Sequence, residues 1–204
     1  MKTNEVSQEF DRYAEAYADK YMDVSAYRHS LKILVSLLQD KQDKILDLAC
    51  GPANLSKYLL DKIPSLILRA CDLAPTMLEI AKANLPNQEV FSFDALKLDE
   101  LKPRHDVILC GGLLPYYSDD LKIKVLTDVI RNLKDNGYLY LTTLITSEED
   151  SPQESKKDQL PTYLLSHPDS YELVRSIGFT IIYKELRTLH SDPQGLELIM
   201  IAQK

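Results

Sequence analysis

From Lys44 onward, short apolar runs alternate with stretches in which apolar residues recur every three or four positions. The runs read as buried strands and the periodic stretches as amphipathic helices. Strands are predicted at Ile45 to Leu48, Leu66 to Cys71, Glu89 to Phe93, Val107 to Cys110 and Tyr138 to Leu144. One helix is expected from about Asn54 to Lys62 and another from Pro75, with Thr76 and Glu79 spaced as a capping box. A third starts at Ser118, Asp119 and Asp120, runs through Leu121, Val125, Val129 and Leu133, and stops at Asn136-Gly137. This alternation predicts an α/β fold, a mostly parallel sheet with helices on both faces.

Both ends depart from it. Phe10, Tyr13, Ala14, Tyr17 and Tyr21 share one face of a helix, and a second apolar helix spans about Val24 to Leu38. The result is an N-terminal helical cap whose tyrosines, Tyr27 included, either pack as core or wall a pocket. Past Leu144, the segment Thr146 to Gln159 is polar, acid-rich and aperiodic, and reads as a long exposed loop. A helix from about Asp169 to Ile177, a strand from Phe179 to about Leu189, a turn around Asp192 to Gly195 and a strand from Leu196 to Ala202 complete the chain. Two strands joined by a short turn pair antiparallel. A single domain is expected over 1–204, with a lid in 1–40, a core in 44–144, and a loop, helix and β-hairpin in 145–204.

Composition narrows the class. Apolar residues are 45% and charged residues 27% of the chain, as in globular domains. A formal net charge of −7 argues against a nucleic-acid partner, whose binding rests on phosphate neutralisation by Lys and Arg. No apolar stretch reaches membrane-spanning length, and Met1 to Phe10 is unlike a signal peptide, so a soluble cytoplasmic protein is expected. Cys50, Cys71 and Cys110 fit neither a disulfide framework nor a metal site; they read as small buried residues at the sheet's rim. No metal is expected.

The candidate chemistry lies where strands end. The turn Ala49 to Ala53 follows the first strand and opens a helix whose first N–H groups are unpaired, and Gly51 permits positive φ or close backbone approach. Asp47, Asp72 and Asp94 sit at the ends of three successive strands, so a parallel sheet brings them to one edge. Asp72 follows Gly51 by 21 residues, close to the offset of about 20 at which an acid takes ribose hydroxyls. Asp94 is placed to accept from an exocyclic amine such as adenine's. Gly51 is followed by Ala53 and Ser56 where a dinucleotide fingerprint needs glycines, and there is no P-loop. A carboxylate at Asp47 suits an ammonium group and not a pyrophosphate. These features point to a nucleoside cofactor without phosphates.

The ordered motifs resemble the class I S-adenosylmethionine-dependent methyltransferases, particularly their small-molecule branch. Ile45-Leu-Asp-Leu-Ala-Cys-Gly-Pro-Ala-Asn54 resembles the first motif, with alanine at 49 and 53 where glycine is usual, and Ala70-Cys-Asp-Leu-Ala-Pro-Thr-Met77 the second. Phe93-Asp-Ala-Leu96 resembles the adenine-binding segment, Asp106 to Tyr116 the fourth motif, Leu133 to Tyr140 the approach to the fifth strand, and Phe10 to Tyr17 the lid. The resemblance implies a Rossmann-like seven-stranded sheet with an antiparallel last pair, and S-adenosyl-L-methionine as cofactor. It implies that Asp47, Ala49 and Gly51 hold the methionine end, Asp72 the ribose, and Leu73 and Met77 the adenine or ribose faces. Asp94, Ala95 and Leu96 would meet the adenine, and Gly111, Gly112 and Leu113 would pass the sulfonium. Tyr17, Tyr21 and Arg28 would close over the methionine carboxylate.

Methyl transfer to a small-molecule acceptor is the implied function, at oxygen, nitrogen or carbon. A non-catalytic cofactor-binding module is the alternative, and a nicotinamide-dependent oxidoreductase stands third. His29 and Tyr116 are the candidates for a catalytic group, with Tyr117 another acceptor-site candidate and His167 placed after the variable loop. His105 and His190 read as surface residues.

Overall fold

The computed structural model describes residues 3–38, 43–146, 160, 162–189 and 192–204. Its centre is a sheet of β1 (Lys44–Leu48), β2 (Ile67–Asp72), β3 (Glu89–Ser92), β4 (His105–Gly111), β5 (Leu133–Thr146), β6 (Leu165–Ser166), β7 (Thr180–Leu189) and β8 (Asp192–Gln203). The strands run in the order β3-β2-β1-β4-β5-β8-β7, with the two-residue β6 paired beside the end of β5. The first five are parallel, whereas β8 pairs antiparallel with both β5 and β7. The expected seven-strand arrangement is therefore present, with β6 an addition too short to carry a sequence signal.

Alternation along each strand sends consecutive side chains to opposite faces, and both faces are covered. Ile45, Val107, Leu109 and Ile199 pack on one side with Leu31, Leu34 and Leu59. Leu46, Ile108, Leu139 and Met200 pack on the other with Val125, Val129 and Val174. The helices supplying these layers are α3 (Arg28–Leu37), α4 (Asn54–Lys62), α5 (Pro75–Asn84), α6 (Asp119–Asn132) and α7 (His167–Ser176). None of the described helices is long and apolar enough to cross a membrane.

Several element boundaries differ from expectation. The lid is two helices, α1 (Thr3–Arg12) and α2 (Ala14–Tyr21), because Tyr13 breaks the run at φ −103, ψ 10. Its ring is 59% exposed, off the face assigned to it. A 3-10 turn, Ser25–Tyr27, replaces the first turn of the second predicted helix. The expected capping box at Thr76 and Glu79 is absent, since Ala74 is the N-cap and Pro75 the first helical residue. Two carboxylates from elsewhere do its work: Asp72 accepts from Ala74 N–H at 2.9 Å, and Asp11 of the lid accepts from Thr76 N–H at 2.7 Å. Helix α6 ends at Asn132, and Asn136 adopts the expected left-handed turn (φ 64) only after β5 has begun. Strand β8 is already paired at Asp192, ahead of the turn expected around Asp192 to Gly195. The loop expected over Thr146 to Gln159 lies, past Thr146, outside the described residues, as does His190.

His105 is a further correction. The first residue of β4, it is fully buried, and neither ring nitrogen has a hydrogen-bond partner among the described residues. Burial pushes its pKa down to about 4, so the ring is neutral and sits as an apolar filler. All three cysteines are buried, as read.

Gly137 is required by contact, not by φ. A Cβ there would lie 2.9 Å from the Lys134 carbonyl oxygen and 3.0 Å from that of Asp106, both backbone atoms that cannot yield cheaply. Gly137→Ala should lower unfolding stability by about 1 to 3 kcal/mol, the usual cost of overpacking, in a denaturant titration; an unchanged midpoint would contradict the packing described.

Candidate active site

The order β3-β2-β1-β4-β5 reverses direction between β1 and β4, and a crevice opens there outside the carboxyl ends of the strands. Residues 49–53 form its floor. The backbone is left-handed at Ala49 (φ 56), Gly51 (φ 54) and Ala53 (φ 63), which coils the chain tightly from β1 into α4. Asp72 holds this coil: its Oδ2 accepts from Gly51 N–H at 2.9 Å while its Oδ1 accepts from Ala74 N–H. One carboxylate thus fastens the turn after β1 to the turn after β2.

The lid closes the crevice from above, and its contacts are specific. Besides the Asp11 cap on α5, the Asn54 side chain donates to the Tyr21 carbonyl oxygen at 2.7 Å, and Asn84 donates to the Met22 sulfur at 3.5 Å. Phe10 meets Tyr17 and Tyr116 edge to face, with centroids 5.7 and 5.2 Å apart, and Tyr17 lies against Tyr21 at 4.4 Å. Tyr116 is in a 3-10 turn (Leu114–Tyr116) after β4. That turn is steadied by Tyr163, whose N–H donates to the Pro115 carbonyl oxygen at 2.7 Å and whose own carbonyl oxygen accepts from buried Lys122 at 2.6 Å.

Two cavities result, meeting at Phe10, Tyr17 and Tyr116 above and at Ala49, Gly51, Gly111 and Gly112 below. The first encloses about 710 Å³, counting its mouth, and continues past Asp72, Leu73, Met77, Phe93, Ala95 and Leu113. The second encloses about 890 Å³ on the same basis and continues past Tyr21, Tyr27, Asp47, Thr142, Leu189 and Glu197. Both fall in the range of small-ligand sites. Gly112 (φ 67) donates to the Thr142 carbonyl oxygen at 2.9 Å, and a Cβ on it would meet nothing within 4 Å, so the backbone itself is the wall there.

Of the residues singled out from sequence, Tyr17, Ala49, Gly51, Asp72, Leu73, Met77, Ala95, Gly111, Gly112, Leu113 and Tyr116 line the first cavity, with Tyr117 beside them. Tyr21 and Asp47 line the second. Five candidates fall outside both. Asp94 caps the 3-10 segment Ala95–Glu100, accepting from Leu96 N–H at 2.9 Å, and Leu96 packs against the core. Arg28 and His29 are exposed because Ser30, Leu31 and Leu34 take the buried face of α3; His29 meets the edge of Tyr183. His167 bonds Tyr171 at 2.7 Å, away from either cavity. Glu197 was missed, although it is the one charged residue in the apolar run Leu196 to Ala202.

Burial sets the electrostatics. Asp47 is 2% exposed and pushed up to about 7, with the Ser56 hydroxyl at 2.5 Å opposing the shift. Asp72 is raised by burial, less strongly because backbone N–H groups hold its charge. Burial pushes Tyr116 up to about 12 and Tyr17 higher, so both phenols stay protonated and can donate a hydrogen bond but not act as phenolates.

The sulfonium nucleoside implied by the sequence fits this lining. A carboxylate offers about four lone-pair positions, and Asp72 has used one on each oxygen, leaving one on each for a vicinal diol. Met77, Leu73 and Phe93 supply flat apolar surface for a purine, and the tyrosine faces suit a positive centre.

The known relatives bear on this site. A family model for a methyltransferase domain matches residues 45–137, the crevice-forming half of the sheet. The chain belongs to the class I S-adenosylmethionine-dependent methyltransferases. Over 137 residues it is 28% identical to malonyl-acyl-carrier-protein O-methyltransferase of Acetivibrio thermocellus, covering 66% of this chain and 47% of that one. The chain spans about half the length of the curated relatives it matches. Among solved structures it resembles Burkholderia thailandensis 1,6-didemethyltoxoflavin-N1-methyltransferase with bound 1,6-didemethyltoxoflavin and S-adenosylhomocysteine. That match has a TM-score of 0.75 and 20% identity over 98% of this chain and 87% of the other. A cyclase structure shares the fold as well, at TM-score 0.77 and 13% identity over 100% and 97% of the two chains. S-adenosylmethionine is the cofactor of this family.

The Asp47 shift makes a pH dependence. Its pKa is 3.8 in the unfolded chain and about 7 in the fold, so the native state holds the proton more tightly. Its contribution to stability is complete below about pH 4 and declines as pH rises to about 7. Relative to wild type, Asp47→Asn should therefore gain stability steadily across that interval in urea titrations at stepped pH; two parallel curves would refute the burial argument.

Proposed function

We propose that this protein transfers the methyl group of S-adenosylmethionine to a small-molecule acceptor. The observation carrying this reading is the pair of cavities that meet at Gly111 and Gly112 under one tyrosine-lined lid. In it, the first cavity takes the adenosine. Asp72 accepts from the ribose hydroxyls, Met77 and Leu73 cover the ring faces, and Asp47 and the coil at Ala49 and Gly51 serve the methionine end. Asp94, engaged with Leu96 N–H, keeps at most its second oxygen for the adenine edge.

When bound, the cofactor supplies a methyl carbon on positively charged sulfur, which leaves as a neutral thioether when an acceptor lone pair takes the carbon. The chain's tasks are orientation and exclusion of water, and orientation alone is worth roughly 7 to 11 kcal/mol of barrier. Phe10, Tyr17 and Tyr116 perform both, since their edge-to-face cluster roofs the junction of the cavities. No described histidine lines either cavity, and burial holds Tyr17 and Tyr116 neutral, so His29 is not the base in this reading and Tyr116 is a hydrogen-bond donor. The acceptor in this reading arrives with an available lone pair.

A second reading is favoured by the cyclase that shares the fold: a cavity of this architecture also serves a protein named for another reaction. Calorimetric titration with S-adenosylhomocysteine separates the possibilities. The intact protein should bind it, and Asp72→Ala should weaken binding about tenfold or more, the effect of losing a hydrogen bond to a charged group of 1.5 kcal/mol or above. Failure of the intact chain to bind would sink the cofactor assignment. Binding without turnover on any acceptor would support the second reading.

A further inference from the structure

The second cavity carries a charge pattern that bears on what it admits. Its charged lining, among the described residues, consists of Asp47 and Glu197, with no Lys, Arg or His. Glu197 is 5% exposed and reaches the cavity from β8. Its Oε2 accepts from the Arg187 guanidinium, from Nε at 2.6 Å and from Nη2 at 2.5 Å. Its Oε1 accepts from the Tyr27 hydroxyl at 2.9 Å. The guanidinium also lies 4.2 Å from the Tyr27 ring centre. Arg187 is thereby committed behind Glu197 and is not part of the lining, while Oε1 retains a lone pair.

We infer that the acceptor cavity selects an uncharged or cationic acceptor bearing an N–H or O–H group, such as an amine, a nitrogen heterocycle or a phenol, with Glu197 the residue that sets this preference. The inference rests on the methyltransferase reading above and gives the class of its acceptor. A donor on the acceptor completes the coordination of Oε1, and Tyr17 and Tyr21 give an aromatic surround suited to a cation or a flat ring. With the cofactor's methionine end on Asp47, a carboxylate acceptor would meet Glu197 and no described cation, and like-charge juxtaposition of this kind suppresses wrong partners. The acid-bearing acceptor named for the malonyl relative is therefore the class this cavity excludes.

The test uses the full chain saturated with S-adenosylhomocysteine and a fragment library matched in size and ring content, divided equally among ammonium, neutral and carboxylate members. Binding is read by ligand-observed NMR. Neutral and ammonium fragments should bind at least about tenfold more often than carboxylates. Two variants should move the bias in opposite directions: Glu197→Gln should admit carboxylates, and Arg187→Gln, which leaves Glu197 uncompensated, should enrich ammonium fragments further. A merely structural role for the pair would shift both alike. Carboxylates equal to or ahead of the others, no fragment bound at all, or a bias untouched by both variants would overturn the inference. The initial loading step is read separately, so a protein that refuses S-adenosylhomocysteine contradicts the methyltransferase reading instead.

Discussion

The site depends on one carboxylate. Asp72 ends β2, yet its two oxygens close hydrogen bonds to the backbone of two different turns, at Gly51 and at Ala74. A buried carboxylate is stable only when it is hydrogen-bonded, and here the partners are a turn N–H ahead of α4 at Gly51 and the N-cap N–H of α5 at Ala74. The same contact fixes the floor of the crevice, places the first turn of α5 and orients the remaining lone pairs toward the first cavity. The lid is seated on the consequence, since Asp11 caps the helix start that Asp72 has positioned.

The coil at residues 49–53 shows what that fastening holds in place. Ala49 and Ala53 both adopt left-handed φ, a conformation that costs a residue with a side chain about 1 to 2 kcal/mol. Glycine would remove the cost, and the chain tolerates alanine because Cys50, Ala53 and Leu55 are buried and Gly51 is tied to Asp72. Strain kept in this way belongs to a ligand-bearing turn more than to a plain connector.

The parallel sheet was legible because its apolar runs are bounded by Asp, Gly and Pro, and the crevice followed from three acids at successive strand ends. What the sequence concealed has a common physical cause: it depends on contacts between distant segments. The caps on α5 come from Asp72 and from Asp11, 65 positions away, and no local spacing announces the second. Asp94 had the right position but spends one oxygen on its own turn. The resemblance places Arg28 at the pocket and nearness to the lid places His29 there, whereas Leu31 and Leu34 decide which face of α3 is buried. His105 read as polar and exposed, and burial made it a neutral filler. Glu197 announced itself only as one acid in an apolar strand, and its pairing with Tyr27 spans 170 positions.

In the proposed function the division of labour is spatial: the cofactor side is built from β1, β2 and their turns, the acceptor side from the lid and the ends of β5, β7 and β8. The most direct test of that division is a crystal structure of the protein with S-adenosylhomocysteine. It should show the adenine between Met77 and Phe93, the ribose hydroxyls on Asp72, the sulfur beside Gly111 and Gly112 and the methionine end at Asp47, with the space in front of Glu197 left free. A nucleoside lying in the cavity at Glu197, or a ribose that does not touch Asp72, would contradict the account.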